Sequence, residues 1–189
     1  LIVSTYKDNP FLPREVVREI EMFREMDENY WKIYGLGERG TSSVRIYTHY
    51  QLIDSLPKRG EKIYGLDFGY NHPSALVEIR LIDQDVYAHE VIHERKLTIH
   101  ELIEKMKQMG ISKKDYIYAD AENADAIAQL LNAGFNIYTA SKGAGSVKAG
   151  IDLIKSRKFY ITKVSNNGIK EAQTYSWKVK GEEVLDEPV

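Results

Sequence analysis

The run Ile63-Tyr64-Gly65-Leu66-Asp67-Phe68 decides the fold. It is an apolar, β-prone stretch of strand length that ends on a carboxylate, and Gly69-Tyr70-Asn71-His72-Pro73 then turns the chain. Residues 75–82 and 86–93 give two further strands on either side of the turn-like Asp83-Gln84-Asp85. Connections this short cannot hold crossover helices, so the three strands form an antiparallel meander. Beyond them the period changes. Thr98-Ile99-His100-Glu101 has capping-box form, and Leu102, Ile103, Met106 and Met109 carry a helix to Gly110. Tyr116-Ile117-Tyr118-Ala119-Asp120 is a fourth strand that again ends on an acid. A helix over 123–132 closes at Gly134, a strand follows over 135–139, a helix over 147–156, and short strands near Phe159 and Trp177. This order predicts a mixed α/β sheet, its first three strands antiparallel and the rest joined by crossover helices.

Upstream, Asn9-Pro10 and Leu12-Pro13 punctuate an arm, and Pro13 suits the first turn of a helix. Val16, Ile20, Phe23, Met26 and Tyr30 recur at helical spacing, and the helix is expected to end before Gly35-Leu36-Gly37. Residues 45–53 are β-prone, and 57–60 turn the chain. The division expected is an arm over 1–60 and the α/β domain over 61–189.

Composition narrows the function. The 189 residues carry a net charge of −2, 43% hydrophobic side chains and no cysteine. That content supports a real core, and the absence of cysteine excludes a disulfide scaffold, a zinc ribbon and a thiol nucleophile. No apolar run reaches the roughly 20 residues of a membrane span. No secretory signal opens the chain, and its start without Met fits a piece of something larger. Near-neutral net charge hides a basic block. Between Ser141 and Lys180 nine lysines and arginines face only Asp152 and Glu171. Such a block is a solvated face or a footprint for a phosphate backbone, with Lys142, Lys148, Lys155, Arg157 and Lys158 the candidate DNA contacts.

The chemistry concentrates on Asp67 and Asp120. If the fourth strand pairs in parallel with the first, both carboxylates emerge at one carboxyl edge, where open α/β sheets place ligands. Two adjacent carboxylates either share a proton or hold a cation. Hard oxygen donors favour Mg²⁺ or Mn²⁺, and a pair of such ions supports in-line attack on a phosphodiester. The plainer reading makes Asp67 a turn residue and Asp120 a helix cap. Glu122 could join a metal shell or simply be exposed. Other patterns carry less. Lys142-Gly143-Ala144-Gly145-Ser146 lacks the third glycine of a dinucleotide fingerprint, and no phosphate-binding loop for ATP is present. His89 and His93 are expected on one face of their strand, too far apart to share a metal easily. His72 could reach a substrate phosphate or be a turn residue. The thirteen tyrosines read as core or sheet-face packing.

At these residues the sequence resembles a known family, the nuclease domain of the large terminase subunit of tailed bacteriophages, of the type found in siphophages of Gram-positive hosts. Residues 63–70 with Pro73-Ser74-Ala75 resemble its first acidic motif, and residues 116–122 its second. Lys142-Gly143, Gly145-Ser146-Val147 and Gly150-Ile151 are similar to a later segment. Residues 5–12 and 34–38 are similar to the stretch that links the family's ATPase and nuclease domains. The resemblance implies an RNase H-like sheet of strand order 3-2-1-4-5 and a two-metal-ion endonuclease that cuts concatemeric viral DNA during packaging into procapsids. It maps Asp67 and Asp120 onto the first two metal-binding acids, Asp67 bridging two ions of Mg²⁺ or Mn²⁺ and Asp120 holding one. The family's late Asn-His-x-x-Asp segment does not occur here, so further ligands are expected beyond Val189, with Asp186 and Glu187 expected in a tail. Double-stranded DNA, the ATPase domain of the same subunit, a small terminase subunit and the portal protein are the implied partners, in the host cytoplasm and not in the mature virion. The alternatives are another RNase H-like nuclease, such as a Holliday-junction resolvase, or a non-catalytic module that docks on DNA or capsid.

Overall fold

The computed structural model describes residues 4–26, 31–37, 44–140, 143–180 and 183–188. The chain divides into two compact units, 1–45 and 46–189. In the first, a 3-10 turn (Tyr6–Asp8) precedes α1 (Arg14–Met26), and a π-helical turn spans Trp31–Gly35. Pro13 stands just before α1, where its missing N–H costs nothing. The Tyr6 hydroxyl donates to Glu21 Oε1 at 3.2 Å, and its ring meets that of Trp31 at 6.3 Å. Tyr30 lies outside the described residues, as do the side chains of Phe23 and Met26.

The second unit is a seven-stranded sheet with helices on both faces. Its strands are β1 (Gln51–Ile53), β2 (Glu61–Asp67), β3 (Ser74–Ile82), β4 (Asp85–Glu94), β5 (Tyr116–Ala119), β6 (Asn136–Thr139) and β7 (Phe159–Thr162), in the spatial order β1-β7-β4-β3-β2-β5-β6. The five successive strands β4-β3-β2-β5-β6 reproduce the expected 3-2-1-4-5 arrangement. β2, β3 and β4 form the antiparallel meander, and β5 and β6 add in parallel. Two further strands extend the sheet past β4. β7 pairs in parallel with β4, and β1 in parallel with β7. Residues 46–60, which the sequence groups with the arm, therefore include one strand of this sheet.

Alternation decides which side chains are buried. Along β2, Tyr64 and Leu66 face one side, and Gly65 and Asp67 the other. The first side is covered by α2 (Ile99–Gln108) and α3 (Ala124–Asn132). There Leu102, Ile103 and Met106 of α2 and Ile127 and Leu130 of α3 close on Leu76, Ile92, Ile117 and Ile137. At about 1.5–3 kcal/mol per fully buried aliphatic side chain, this cluster is the main source of stability for the unit. Thr98 and Glu101 form the expected capping box at the start of α2, and Asn123 caps α3 by accepting the Ala126 N–H. The second side carries α4 (Ser146–Lys155) and α5 (Asn166–Thr174) and is less completely covered. The expected C-terminal tail is instead a strand: β8 (Trp177–Lys180) pairs antiparallel with β9 (Glu183–Pro188), and Lys178 reaches Glu187 at 3.0 Å. Among the described residues no helix is long and apolar enough to cross a membrane.

One bulge changes a sequence expectation. The β3–β4 register shifts between Leu76 and Val77, so that His89 stands opposite Glu78 and His93 opposite Ala75. Glu78 and Ala75 are an odd number of residues apart, which puts the two histidines on opposite faces and not on one. His89 is committed elsewhere: its Nδ1 meets Thr162 Oγ1 at 2.8 Å.

Candidate active site

The parallel ladder of β2 and β5 ends with Leu66 opposite Ala119, and one residue later each strand presents its carboxylate, Asp67 and Asp120. Both lie on the second face and line one open cleft of about 780 Å³, with Gly65, Ala75 and Val77 from β2 and β3, Tyr118, Ala140, Ser146, Val147 and Tyr175. Gly65 keeps the cleft floor clear, since a Cβ placed there would meet nothing within 4 Å. The turn after β2 is closed by Ser74, whose hydroxyl accepts the Gly69 N–H at 3.1 Å and donates to the Gly69 carbonyl at 2.7 Å. Asp67 is exposed at the mouth, and Asp120 is half-buried. One oxygen of Asp120 accepts the Glu122 N–H at 3.0 Å, an Asx turn that orients the carboxylate. Asn123, and not Asp120, is the cap of α3.

These are hard anionic donors converging from adjacent strands, the donor chemistry that oxygen-seeking divalent ions require. Among the described residues no third carboxylate or imidazole joins them in a metal-holding group.

Comparison with known proteins places this architecture. The family of phage terminase large subunits matches residues 1–38, within the first unit. The PBSX phage terminase large subunit of Bacillus subtilis is 24% identical over 186 residues, which is 92% of this chain and 43% of that protein. Over most of its length the chain is thus similar to phage large terminase subunits. It spans less than half the length of that curated relative. Among solved structures, the large-terminase nuclease domain of bacteriophage SPP1, with bound Mn, superposes with a TM-score of 0.66 at 17% identity, covering 77% of this chain and 89% of that one. The P22 large-terminase nuclease domain gives 0.58 at 19% identity, with 77% of this chain and 86% of that one covered. The large terminase of a thermophilic bacteriophage, in complex with ATP-γ-S, gives 0.64 at 20% identity, covering 98% of this chain and 50% of that one. The fold is thus the RNase H-like fold of terminase nuclease domains.

In this terminase-type sheet the basic candidates separate. Lys148 stands in the first turn of α4, the end of the helix that borders the cleft. Lys155 is in the last turn of α4, and Arg157 and Lys158 immediately precede β7. Because β7 runs parallel to β4 and β4 parallel to β2, its first residue lies at the edge opposite Asp67. Lys142 lies outside the described residues. His72 sits in the β2–β3 turn and does not line the cleft.

Sequence reading missed the aromatic rim. Tyr116, Tyr118 and Tyr138 are each about half exposed on one face of β5 and β6, the first two rings 5.7 and 5.9 Å from that of Tyr138. Alternation in Tyr116-Ile117-Tyr118 was the available signal: Ile117 is fully buried and the two tyrosines flank it on the other side.

Proposed function

We propose that this chain is the nuclease part of a phage large terminase, a metal-dependent endonuclease that cuts concatemeric viral DNA during packaging into procapsids. The observation that carries the reading is the pair Asp67 and Asp120, brought side by side at the carboxyl edge in one open cleft. Mg²⁺ or Mn²⁺ is the assigned cofactor, two ions held by Asp67 and Asp120, with further ligands placed beyond Val189 as the resemblance implies. The solved relatives from SPP1 and from phage G20c carry Mn, cobalt or zinc. When bound, the ions neutralise the phosphodiester and make water a competent nucleophile at neutral pH. The chain's own residues do the rest. The two carboxylates fix where the scissile phosphate sits, Gly65 leaves room for it, and Lys148 with the later basic residues attracts the DNA backbone.

The same-subunit ATPase domain, the small terminase subunit and the portal are the proposed partners, and the host cytoplasm the proposed place of action. The test is cleavage of supercoiled plasmid in Mg²⁺, Mn²⁺ or chelator by the chain extended past Val189. Cutting that needs metal and is lost in folded Asp67→Ala and Asp120→Ala supports the reading. DNA binding without cutting in either metal would favour a docking module, and preference for four-way junctions a resolvase.

A further inference from the structure

A second basic site lies across the sheet from the carboxylates. The segment before β1, residues 47–50, lies beside the start of β7. Two adjoining hollows of about 70 and 340 Å³ lie between them. Arg157, Thr48 and His49 line both; Lys155 lines the smaller and Lys158 and Tyr50 the larger. Among the described residues no acidic side chain lines either hollow. Among the same residues Lys155, Arg157 and Lys158 form no ion pair, although Arg157 is half-buried. Three cations held close together repel one another, and a half-buried guanidinium without a carboxylate lacks its usual partner. A concave wall of cations, two hydroxyls and an imidazole matches a phosphate group.

We propose that the hollow formed by Thr48, His49, Tyr50, Arg157 and Lys158 binds backbone phosphates of the DNA whose cleavage takes place at Asp67 and Asp120. The assignment of DNA as the source rests on the function proposed above; the anion chemistry does not. Position supports it. Phe159 is level with Glu61 through Val86 and Leu81, six residues below Asp67 and three strands away, a separation of about 25 Å. At about 3.4 Å per base pair that is roughly seven base pairs along a duplex, so one continuous helix reaches both edges. The contact would set the direction in which DNA crosses the sheet.

The test uses the 189-residue chain, a labelled duplex of about 24 base pairs and buffer containing chelator, so that binding is read without cutting. Arg157→Gln with Lys158→Gln, and His49→Ala separately, are compared with the parent by fluorescence anisotropy across a salt series, with folding checked by circular dichroism. The expected result is roughly five- to twenty-fold weaker binding for the double variant, and a log–log salt slope shallower by about two for two lost phosphate contacts. His49→Ala weakens binding less. In parallel, inorganic phosphate is titrated while the His49 ring protons are followed by NMR. Phosphate shifts at His49 with unchanged DNA affinity would make this a small-anion site and overturn the DNA assignment. Unchanged affinity with no phosphate response, or a loss of thermal stability alone, would reduce the cations to partners of the α4 C-terminal dipole and overturn the proposal. A folded chain extended past Val189 that never cuts plasmid in either metal, while the double variant still loses DNA affinity, would sink the nuclease reading and leave this site standing.

Discussion

Asp67 and Asp120 leave the sheet from neighbouring strands, each one residue beyond the Leu66–Ala119 pair that ends the ladder between β2 and β5. Neither strand alone makes a site. The parallel register does, because a slip of one residue would turn one of the two acids to the opposite face. Each strand end is also fixed locally, Asp67 by the turn that Ser74 closes and Asp120 by its bond to the Glu122 N–H.

Replacing either acid by its amide therefore separates metal binding from folding. Asp120→Asn keeps an oxygen for the Glu122 N–H, and Asp67→Asn alters an exposed position. We expect stability within about 0.5 kcal/mol of the parent for each. Mn²⁺ affinity should fall by at least the roughly tenfold that even an outer-shell loss costs. Electron paramagnetic resonance of free Mn²⁺ during titration measures this, and unchanged affinity in both variants would remove the pair from any metal site.

The β2–β3 turn should be intolerant of small changes. A Cβ at Gly69 would stand 2.5 Å from the carbonyl oxygens of His72 and Pro73. Gly69→Ala is expected to cost about 1–3 kcal/mol, because the obstacles are backbone atoms. Ser74→Ala loses both bonds to Gly69 from a buried position and should cost about 1–3 kcal/mol. Urea denaturation reads both, and a parent-like midpoint for Gly69→Ala would contradict the turn geometry.

Gly65 gives the opposite prediction. An added methyl meets nothing, so Gly65→Ala should fold with stability within about 1 kcal/mol of the parent, the ordinary strand penalty of glycine being relieved. Gly65→Leu fills the cleft beside Asp67 and should abolish plasmid cutting at nearly unchanged stability. Full activity in a folded Gly65→Leu variant would place the substrate elsewhere.

Glu90 caps a helix from another element. Its carboxylate accepts the Gly168 N–H at 2.7 Å and the Asn167 side-chain amide at 2.9 Å, while the Glu90 N–H donates to Ser165 Oγ at 2.8 Å. Ser165, at the N-cap of α5, is thereby turned toward β4 and leaves the helix end to Glu90. Glu90→Ala should cost about 0.5–2 kcal/mol, on the scale of a lost cap. Hydrogen exchange should accelerate at the Gly168 amide before it does in α2; uniform acceleration would mean that α5 has no separate dependence on Glu90.

The start of α2 carries a pH dependence with a definite sign. The Thr98 N–H, and then the Thr98 hydroxyl, hold the Glu101 carboxyl below its ordinary value. A depressed carboxylate contributes stability that is present above its unfolded value and lost as the pH falls through its folded value. Thermal midpoints of the parent and Glu101→Ala should therefore differ at neutral pH and converge in acid. A difference that persists at low pH would assign the effect to packing.

Much of this was legible in the chain. The five strands β2 to β6, the capping box at Thr98 and the acids that end two strands each depend on residues a few positions apart, and local patterns report local structure. Other features left no such pattern. The pairing of β7 with β4 joins Phe159 to Val86, and the Glu90 cap joins β4 to α5 across 78 residues. The bulge at Leu76/Val77 is invisible in an alternation of apolar residues, yet it divides His89 from His93. Asp186 and Glu187, expected in a tail, lie in a strand because residues 177–180 offer residues 183–188 a partner.

By itself the sequence determined the α/β class, the meander, the crossover helices and the identity of the two acids, since hydrophobic period and turn chemistry are written within each segment. Only the tertiary structure decided which side chains share a place. Parallel pairing of β2 with β5 brought Asp67 beside Asp120, and parallel addition of β7 carried Arg157 and Lys158 to the opposite edge. Strand direction is fixed by long-range hydrogen bonding and burial, so basic residues contiguous in sequence are divided between the cleft end of α4 and the opposite edge of the sheet.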